Sequence, residues 1–504
     1  MSILDSLALG FSVSLAPLNL LYCFIGVLLG TLVGVLPGLG SAATIALLLP
    51  VTYRMPETSA IIMLAGIWYG SMYGGSTTSI LLRVPGESAS VMTCVDGFEM
   101  ARRGRAGAAL GIAAFGSFIA GTVGLLGLIL LAPPLSEFAL DFGPPEYLML
   151  TVLGLTLVSY LGSGSAPKAL AMAALGLLLG TVGLDPVRSE ARFTLGSLSL
   201  QGGIELIPIV MGLFGLSQVL HLIAPRGDAG EALPAPRSLR ALLPNRQEWR
   251  DAGGAIGRGT VVGFLVGILP GAGATISSYV AYALEKRCSP HPERFGRGAI
   301  EGVAAPESAN NAATASGFIP LLTLGLPANV VMALMLGAFM LHGVTPGPTL
   351  VAQKPEMFWG IATSMFVGNL MLLVLNLPLI GLFVKVTRLP LRYLVPLIVL
   401  ACVIGAFGVN NNPFDIALML GFGVFGYYAE RFGYSLAPLV LAFVLGPLME
   451  TSLRQSLIIS GGDFGIFVSR PISACLLALT AILLATPVAR RLLRRGEASS
   501  VPRA

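Results

Sequence analysis

Charge is scarce in this chain. Only 11% of its 504 residues are Asp, Glu, Lys or Arg, 55% are hydrophobic, and the mean hydropathy is +0.84. An ordinary globular chain is about a quarter charged. A water-soluble domain of this length is therefore excluded, because too little polar surface exists to cover the apolar residues. Cysteine and histidine are also sparse, at 5 and 3 residues. Cys23, Cys94, Cys288, Cys402 and Cys475 lie scattered, mostly in apolar stretches, with no paired spacing. They read as small core residues, neither disulfides nor metal ligands. Without a Gly-x-x-x-x-Gly-Lys-Ser/Thr motif the chain carries no P-loop ATPase of its own, and without His-Glu-x-x-His it is no membrane zinc protease of that type. Gly461-Gly462-Asp463 lacks the second buried Asp that an intramembrane aspartyl protease needs. The first residues show no basic segment and no small-residue cleavage site, so no cleavable signal peptide is expected.

What the chain has in abundance is apolar stretches of bilayer-crossing length, roughly 17–25 residues each. The net charge of +5 sits in short loops between them, which is a topology signal and no nucleic-acid footprint. The basic loops are Arg102 to Arg105, Lys286 to Arg297, Lys385 to Arg392, the tail from Arg490, and the connector from Pro225 to Arg258. Placing all of these in the cytoplasm puts the N-terminus outside and the C-terminus inside. Crossings are then expected by residue 84 and near 106–131, 146–162, 166–184, 203–223, 303–327, 358–386, 393–409, 414–430, 436–450 and 471–489. Arg188, Arg192, Arg454 and Arg470 fall on the outer side and run against the pattern. The expected fold is an all-α polytopic membrane protein with about 11–12 transmembrane helices. Its expected parts are a first repeat (1–224), a cytoplasmic connector (225–257), a second repeat (258–470), an extra helix (471–490) and a cytoplasmic tail (491–504).

The repeat is written in the residues. Gly30-Thr-Leu-Val-Gly-Val-Leu-Pro-Gly-Leu-Gly40 returns 233 positions later as Gly263-Phe-Leu-Val-Gly-Ile-Leu-Pro-Gly-Ala-Gly273. Both place a helix-breaking Pro-Gly-x-Gly inside apolar surroundings. Counterpart loops carry opposite charge character, as an inverted-topology repeat requires. Arg258 and Lys286 are assigned to one side, so each arm between them has about 12 residues, or ~18 Å of helix, too short to cross ~30 Å of hydrocarbon. Re-entrant hairpins are therefore expected, with tips at Pro37, Gly38 and Gly40 and at Pro270, Gly271 and Gly273. Gly74 and Gly75 join these as backbone positions at which a cation could be held.

Two polar clusters interrupt the apolar runs. Ser76, Thr77, Thr78 and Ser79 follow Tyr69 to Gly75, and the segment Pro306 to Gly317 carries Glu307, Ser308, Asn310, Asn311 and Thr314. Each is followed by an apolar stretch ending in proline, Pro85 or Pro327. Hydroxyls and amides bind carboxylate oxygens, and with freed carbonyls they replace a sodium ion's hydration shell. Ser76, Thr77, Thr78, Ser308, Asn310, Asn311 and Thr314 are the candidate substrate-binding residues. Taken singly, each could equally be an interhelical hydrogen bond. Glu307 is either a functional intramembrane carboxylate or a helix cap, whereas Glu87 and Asp96 read as interfacial. Asn410-Asn411-Asn412-Pro413 reads as a turn, and His342 as interfacial.

These stretches together resemble the large permease subunit of the tripartite tricarboxylate transporters, the TctA type. The resemblance rests on Gly34 to Gly40, Tyr69 to Glu87, Asp96 to Gly107, Gly267 to Gly273, Pro306 to Ala313, Leu324 to Pro327 and His342 to Pro348. It departs at Ala328, where the family typically has glycine. The resemblance implies a bacterial inner-membrane permease that works with a small four-helix membrane subunit and a periplasmic solute-binding protein. It implies uptake of a carboxylate such as citrate, driven by a sodium gradient with the proton as the alternative coupling ion, and, through wider relatives, an elevator motion; the few buried carboxylates favour sodium held by neutral oxygens over a long proton relay. No metal or organic cofactor is expected, and no nucleic-acid partner. A channel or an intramembrane enzyme are the alternatives. Saturable, gradient-coupled uptake separates the first, and the second would need a nucleophile and base that three histidines remote from the Ser/Thr clusters do not supply.

Overall fold

A computed structural model describes residues 2–36, 39–161, 165–185, 188–224, 233, 238–386 and 390–499. The chain is almost entirely helical and divides into two compact units that interleave along the sequence. Unit 1 comprises Met1–Ala139 and Glu205–Leu436, and unit 2 comprises Leu140–Ile204 and Ala437–Ala504. In chain order the helices of unit 1 begin with α1 (Ile3–Ser14), α2 (Pro17–Val35), α3 (Gly40–Thr52), α4 (Glu57–Leu82), α5 (Val91–Met100) and α6 (Ala106–Ala139). Unit 2 starts with α7 (Pro144–Leu161) and α8 (Ala166–Gly180), followed by a short antiparallel pair, β1 (Gly183–Leu184) and β2 (Ala191–Arg192). Unit 1 resumes with α9 (Leu206–Val210) and α10 (Ser217–Ile223), then α11 (Arg246–Ile268), α12 (Gly273–Cys288), α13 (Glu301–Ser316) and α14 (Phe318–Leu324). It closes with α15 (Val330–Leu341), α16 (Leu350–Gln353), α17 (Pro355–Val386), α18 (Leu391–Asn410) and α19 (Pro413–Arg431). The last helices, α20 (Ala437–Ile459), α21 (Ile466–Ser469) and α22 (Pro471–Ser499), belong to unit 2.

Among the described residues, five helical stretches are long and apolar enough to cross a membrane: Pro17–Val35, Ser88–Ala139, Leu206–Ile223, Pro355–Phe383 and Ala437–Ile459. Six shorter apolar helices accompany them. The helix breaks expected near the two Pro-Gly-x-Gly motifs are present, between α2 and α3 and between α11 and α12. Pro37 and Gly38 lie outside the described residues. In the second break Gly271 has φ +83° and Gly273 φ +54°, matching φ +59° at Gly40 in the first. Such left-handed backbone is cheap only for glycine. The Gly271 N–H donates to the Ala328 carbonyl at 2.7 Å. Only the backbone of Ala328 is used in that bond, and Ala328 is not among the residues of positive φ, so alanine is accommodated there.

Close backbone packing holds these helices. A Cβ added at Gly26, Gly30 or Gly34 of α2 would stand 2.2–2.4 Å from the carbonyl oxygen of Met63, Ile67 or Ser71 on α4. The same arrangement occurs between α11 and α13. There Cβ atoms at Gly259 and Gly263 would meet the carbonyls of Ala305 and Ala309 at 2.4 and 2.2 Å, and one at Gly267 would meet Ala313 Cα at 2.5 Å. Glycine every fourth residue lets two helical backbones touch along a whole face. The same device keeps α4 continuous through Gly74-Gly75, where a Cβ at Gly74 would lie 2.3 Å from the Thr31 carbonyl.

In unit 2, charge does comparable work. Arg454 binds Asp185 through two bonds of 3.0 and 2.7 Å, and Arg192 binds Glu450 at 2.7 and 3.2 Å. Arg454 also reaches Glu450 at 2.8 Å, and Arg470 pairs with the buried Glu146 at 2.7 Å. Three of the four arginines that ran against the charge pattern are thus structural partners of carboxylates in this unit.

Replacing Gly263 by Ala is expected to lower the melting temperature of the detergent-purified chain, since forcing a methyl group into backbone costs roughly 1–3 kcal/mol. Gly257→Ala, on the same helix with nothing within 4 Å of the new Cβ, should leave it unchanged or raise it. Equal melting temperatures for the two variants would refute the backbone contact.

Candidate functional site

Unit 1 gathers most of the predicted polar residues into its interior. Helix α13 is short of large side chains, so it lies close against α11, and its other faces bring Glu307, Ser308, Asn311 and Thr314 inward. Glu307 is 1% exposed and lies well inside the helix, which begins at Glu301. It is therefore no cap. Its Oε1 accepts from the Thr93 hydroxyl of α5, and its Oε2 lies 2.6 Å from the Ser76 hydroxyl of α4. Among the described residues no basic side chain forms an ion pair with it. Asn311 Nδ2 donates to Ser117 Oγ of α6 at 2.7 Å and to the Glu307 carbonyl at 3.0 Å.

A small pocket opens beside this cluster, lined by Tyr73, Ser76, Thr77, Ser117 and Asn376 among apolar neighbours. Across it, the Tyr73 hydroxyl donates to Asn369 Oδ1 at 3.0 Å, while Asn369 Nδ2 donates to the Phe118 carbonyl and to Thr122 Oγ1. Three buried polar side chains of unit 1, Asn376 of this pocket and two on α13, are incompletely satisfied. The Asn310 amide is 0% exposed and neither its nitrogen nor its oxygen has a partner, and Ser308 Oγ and Asn376 Oδ1 also lack one. A buried amide left without partners costs on the order of 1–3 kcal/mol for each group. Such atoms are what a bound ligand or water would satisfy.

The predicted residues thus separate. Ser76, Thr77, Ser308, Asn310 and Asn311 are buried polar groups of α4 and α13. Thr78 and Thr314 spend their hydroxyls on their own helices, bonding the carbonyls of Gly75 at 3.1 Å and Asn310 at 2.8 Å. Gly75 packs beside Glu87 and Ser90, and Gly40 and Gly273 sit next to the side chains of Glu87 and Asn329. The residues supporting the two breaks also touch, through Ser88 Oγ and Thr275 Oγ1 at 2.8 Å.

Glu87 and Asp96 are buried rather than solvated. Glu87 accepts from the Ser41 N–H in the first turn of α3, where a helix N-terminus favours negative charge. Asp96 is 0% exposed. Its Oδ1 accepts the N–H groups of Gly296, Gly298 and Ala299 at 2.8–2.9 Å, and Tyr282 donates to its Oδ2 at 2.8 Å. These bonds hold the loop that leads into α13. Sequence reasoning missed this clamp, and it missed Thr93, Ser117, Asn369 and Asn376. The two asparagines seven residues apart on apolar α17 share one helical face, which was a readable signal.

Helices of membrane-crossing length around a buried polar cluster define a multi-pass membrane protein. The chain belongs to the tripartite tricarboxylate transporter TctA family, which it matches over residues 20–441. This is a family of transporter permeases. The chain is 50% identical over 479 residues to an uncharacterized 52.8 kDa protein in the TAR-I ttuC' 3' region of Agrobacterium vitis, covering 95% of each chain. It is 55% identical over 217 residues to a protein in the TAR-II ttuC' 3' region of the same organism, covering 43% of this chain and 90% of that one. No solved structure matches it.

Asp96→Ala removes the acceptor of three loop amides, of which that of Ala299 is buried, and is expected to cost about 1–3 kcal/mol, read as lost thermal stability in detergent. Asp96→Asn keeps an acceptor oxygen for those amides and should fall between it and the parent protein.

Proposed function

We propose that this chain is the permease of a binding-protein-dependent carrier in the bacterial inner membrane. It takes a small organic carboxylate, a tri- or dicarboxylate such as citrate, from a periplasmic solute-binding protein. A small four-helix membrane subunit completes the assembly, and a cation gradient of sodium or protons drives uptake. The N-terminus is periplasmic and the C-terminus cytoplasmic. The observation that carries this reading is the buried polar content of unit 1, where α13 carries the unpartnered Asn310 amide and Ser308 hydroxyl as well as Glu307, which meets Ser76 of α4. Neutral donors of this kind suit carboxylate oxygens, and neutral oxygens suit sodium.

The two helix breaks are, in this reading, the tips of re-entrant hairpins in an inverted repeat that moves as an elevator. Support comes from recurring geometry. The glycines of α2 return 233 positions later on α11, and the carbonyls they meet return 242 positions later, at 305 and 309. The second offset also pairs the left-handed helix ends Arg83 (φ +58°) and Gly325 (φ +69°), then Pro85 with Pro327, and Glu87 with Asn329 beside Gly40 and Gly273. In this register Ser76 to Thr78 stand opposite residues 318–320, so the two polar clusters adjoin without being exact counterparts.

Uptake of labelled citrate into proteoliposomes holding the chain and its small partner, with the binding protein outside, tests the reading. Asn310→Ala is expected to abolish gradient-driven uptake, whereas Thr314→Val, which removes a hydroxyl bonded only to its own helix, should retain it. Non-saturable flux that ignores the binding protein would instead indicate a pore.

A further inference from the structure

We propose that Glu307 binds and releases the proton coupled to transport. The inference rests on the permease reading and identifies the cation of that same site.

The argument is a count of hydrogens. The Ser76 hydroxyl has one hydrogen and two oxygen neighbours, Glu307 Oε2 at 2.6 Å and the Met72 carbonyl at 3.1 Å. A carbonyl can only accept. When Ser76 donates to Met72, the contact with Glu307 needs a hydrogen from the carboxyl group itself, so Glu307 is protonated. When Glu307 is ionised, Ser76 turns its hydrogen to the carboxylate and Met72 loses that side-chain bond. Both arrangements are complete, and they differ by one proton and one hydroxyl rotation. The separation of 2.6 Å is that of a short O–H···O bond and leaves no space for a metal ion between the two oxygens.

The surroundings favour a group that changes charge. A buried carboxylate without a cation is costly in its ionised form, and among the described residues no positive side chain forms an ion pair with Glu307. From α4, Tyr73 is in electrostatic reach, but its hydroxyl is given to Asn369. From α5 come Cys94 and Asp96, the latter saturated by backbone amides and Tyr282. Helices α11 and α12 bring Arg258 and Glu285, which bind each other at 2.7 and 2.8 Å. Glu87, ahead of α5, is taken by Ser41. Helix α6 has only Glu137, in its last turn, and α14 has no titratable residue. Ser76 and Ser117 border the adjacent pocket, which gives the proton an exit. On release the O–H bond breaks, its electron pair stays on the carboxylate, and the proton passes to water in that pocket.

Infrared difference spectroscopy of the purified full chain between neutral and alkaline pH reads this proton without any solute. We expect a protonated-carboxyl band that disappears at alkaline pH in the parent protein and is missing from Glu307→Gln. The same band in both proteins, or in neither, overturns the proposal. Glu307→Asp, which keeps a carboxyl, should show the band at a shifted frequency. In the proteoliposome assay with labelled citrate, an inward proton gradient without sodium should concentrate solute in the parent protein. Glu307→Gln should exchange solute across the membrane but fail to concentrate it. Concentrative uptake by Glu307→Gln, or parent uptake that answers only to sodium, overturns the proposal. Loss of exchange in the parent protein counts against the permease reading, while the infrared result still decides the proton.

Discussion

Backbone touching backbone is the contact on which unit 1 depends. In an apolar medium helices gain little by burying leucine against leucine, so association relies on close approach and on polar bonds. The glycine faces of α2 and α11 provide the approach. Once α11 lies against α13 and α2 against α4, the remaining faces of α4 and α13 turn toward each other and toward α5 and α6. The polar cluster is a consequence of that geometry, because a bulkier residue at Gly263 or Gly30 would separate the very helices that carry Ser76 and Glu307.

Two buried carboxylates in this unit show how partners decide a role. Asp96 meets three backbone amide hydrogens, which can only donate, and the Tyr282 hydroxyl. Its place is structural. Glu307 meets only hydroxyl groups, those of Ser76, Thr93 and Ser117, which can donate or accept. Partners of that kind tolerate both charge states, and so suit a group that works by changing. The stiff carboxylate anchors the loop entering α13, and the adaptable one sits two turns further along the same helix.

Much of this was legible in the residues themselves. The helix breaks around Pro270 and Gly273 follow from proline and glycine in apolar surroundings, and the turn at Asn411 follows from its tolerance of left-handed backbone, seen at φ +51°. The helices of the later chain fall where the apolar stretches place them. Less visible was the partnering. Ser117 and Thr93 are single hydroxyls in unremarkable surroundings, and only the crossing of α6 and α5 with α13 gives them meaning. The division into interleaved units was hidden for the same reason, since contact between α8 and α20 is written in no local pattern. Thr78 and Thr314 show a further detail that no residue pattern gives: each donates its hydroxyl hydrogen to a carbonyl of its own helix and keeps only its acceptor side for anything else.

The ion cluster of unit 2 has an electrical consequence. Asp185, Glu450, Arg192 and Arg454 place two negative and two positive charges within contact distance of one another. Opposed pairs leave no monopole, so their field fades with distance far faster than that of a lone arginine, and dissolved salt shortens its reach further. The arginines thus hold the hairpin of β1 and β2 to α20 while adding little field beyond the cluster itself.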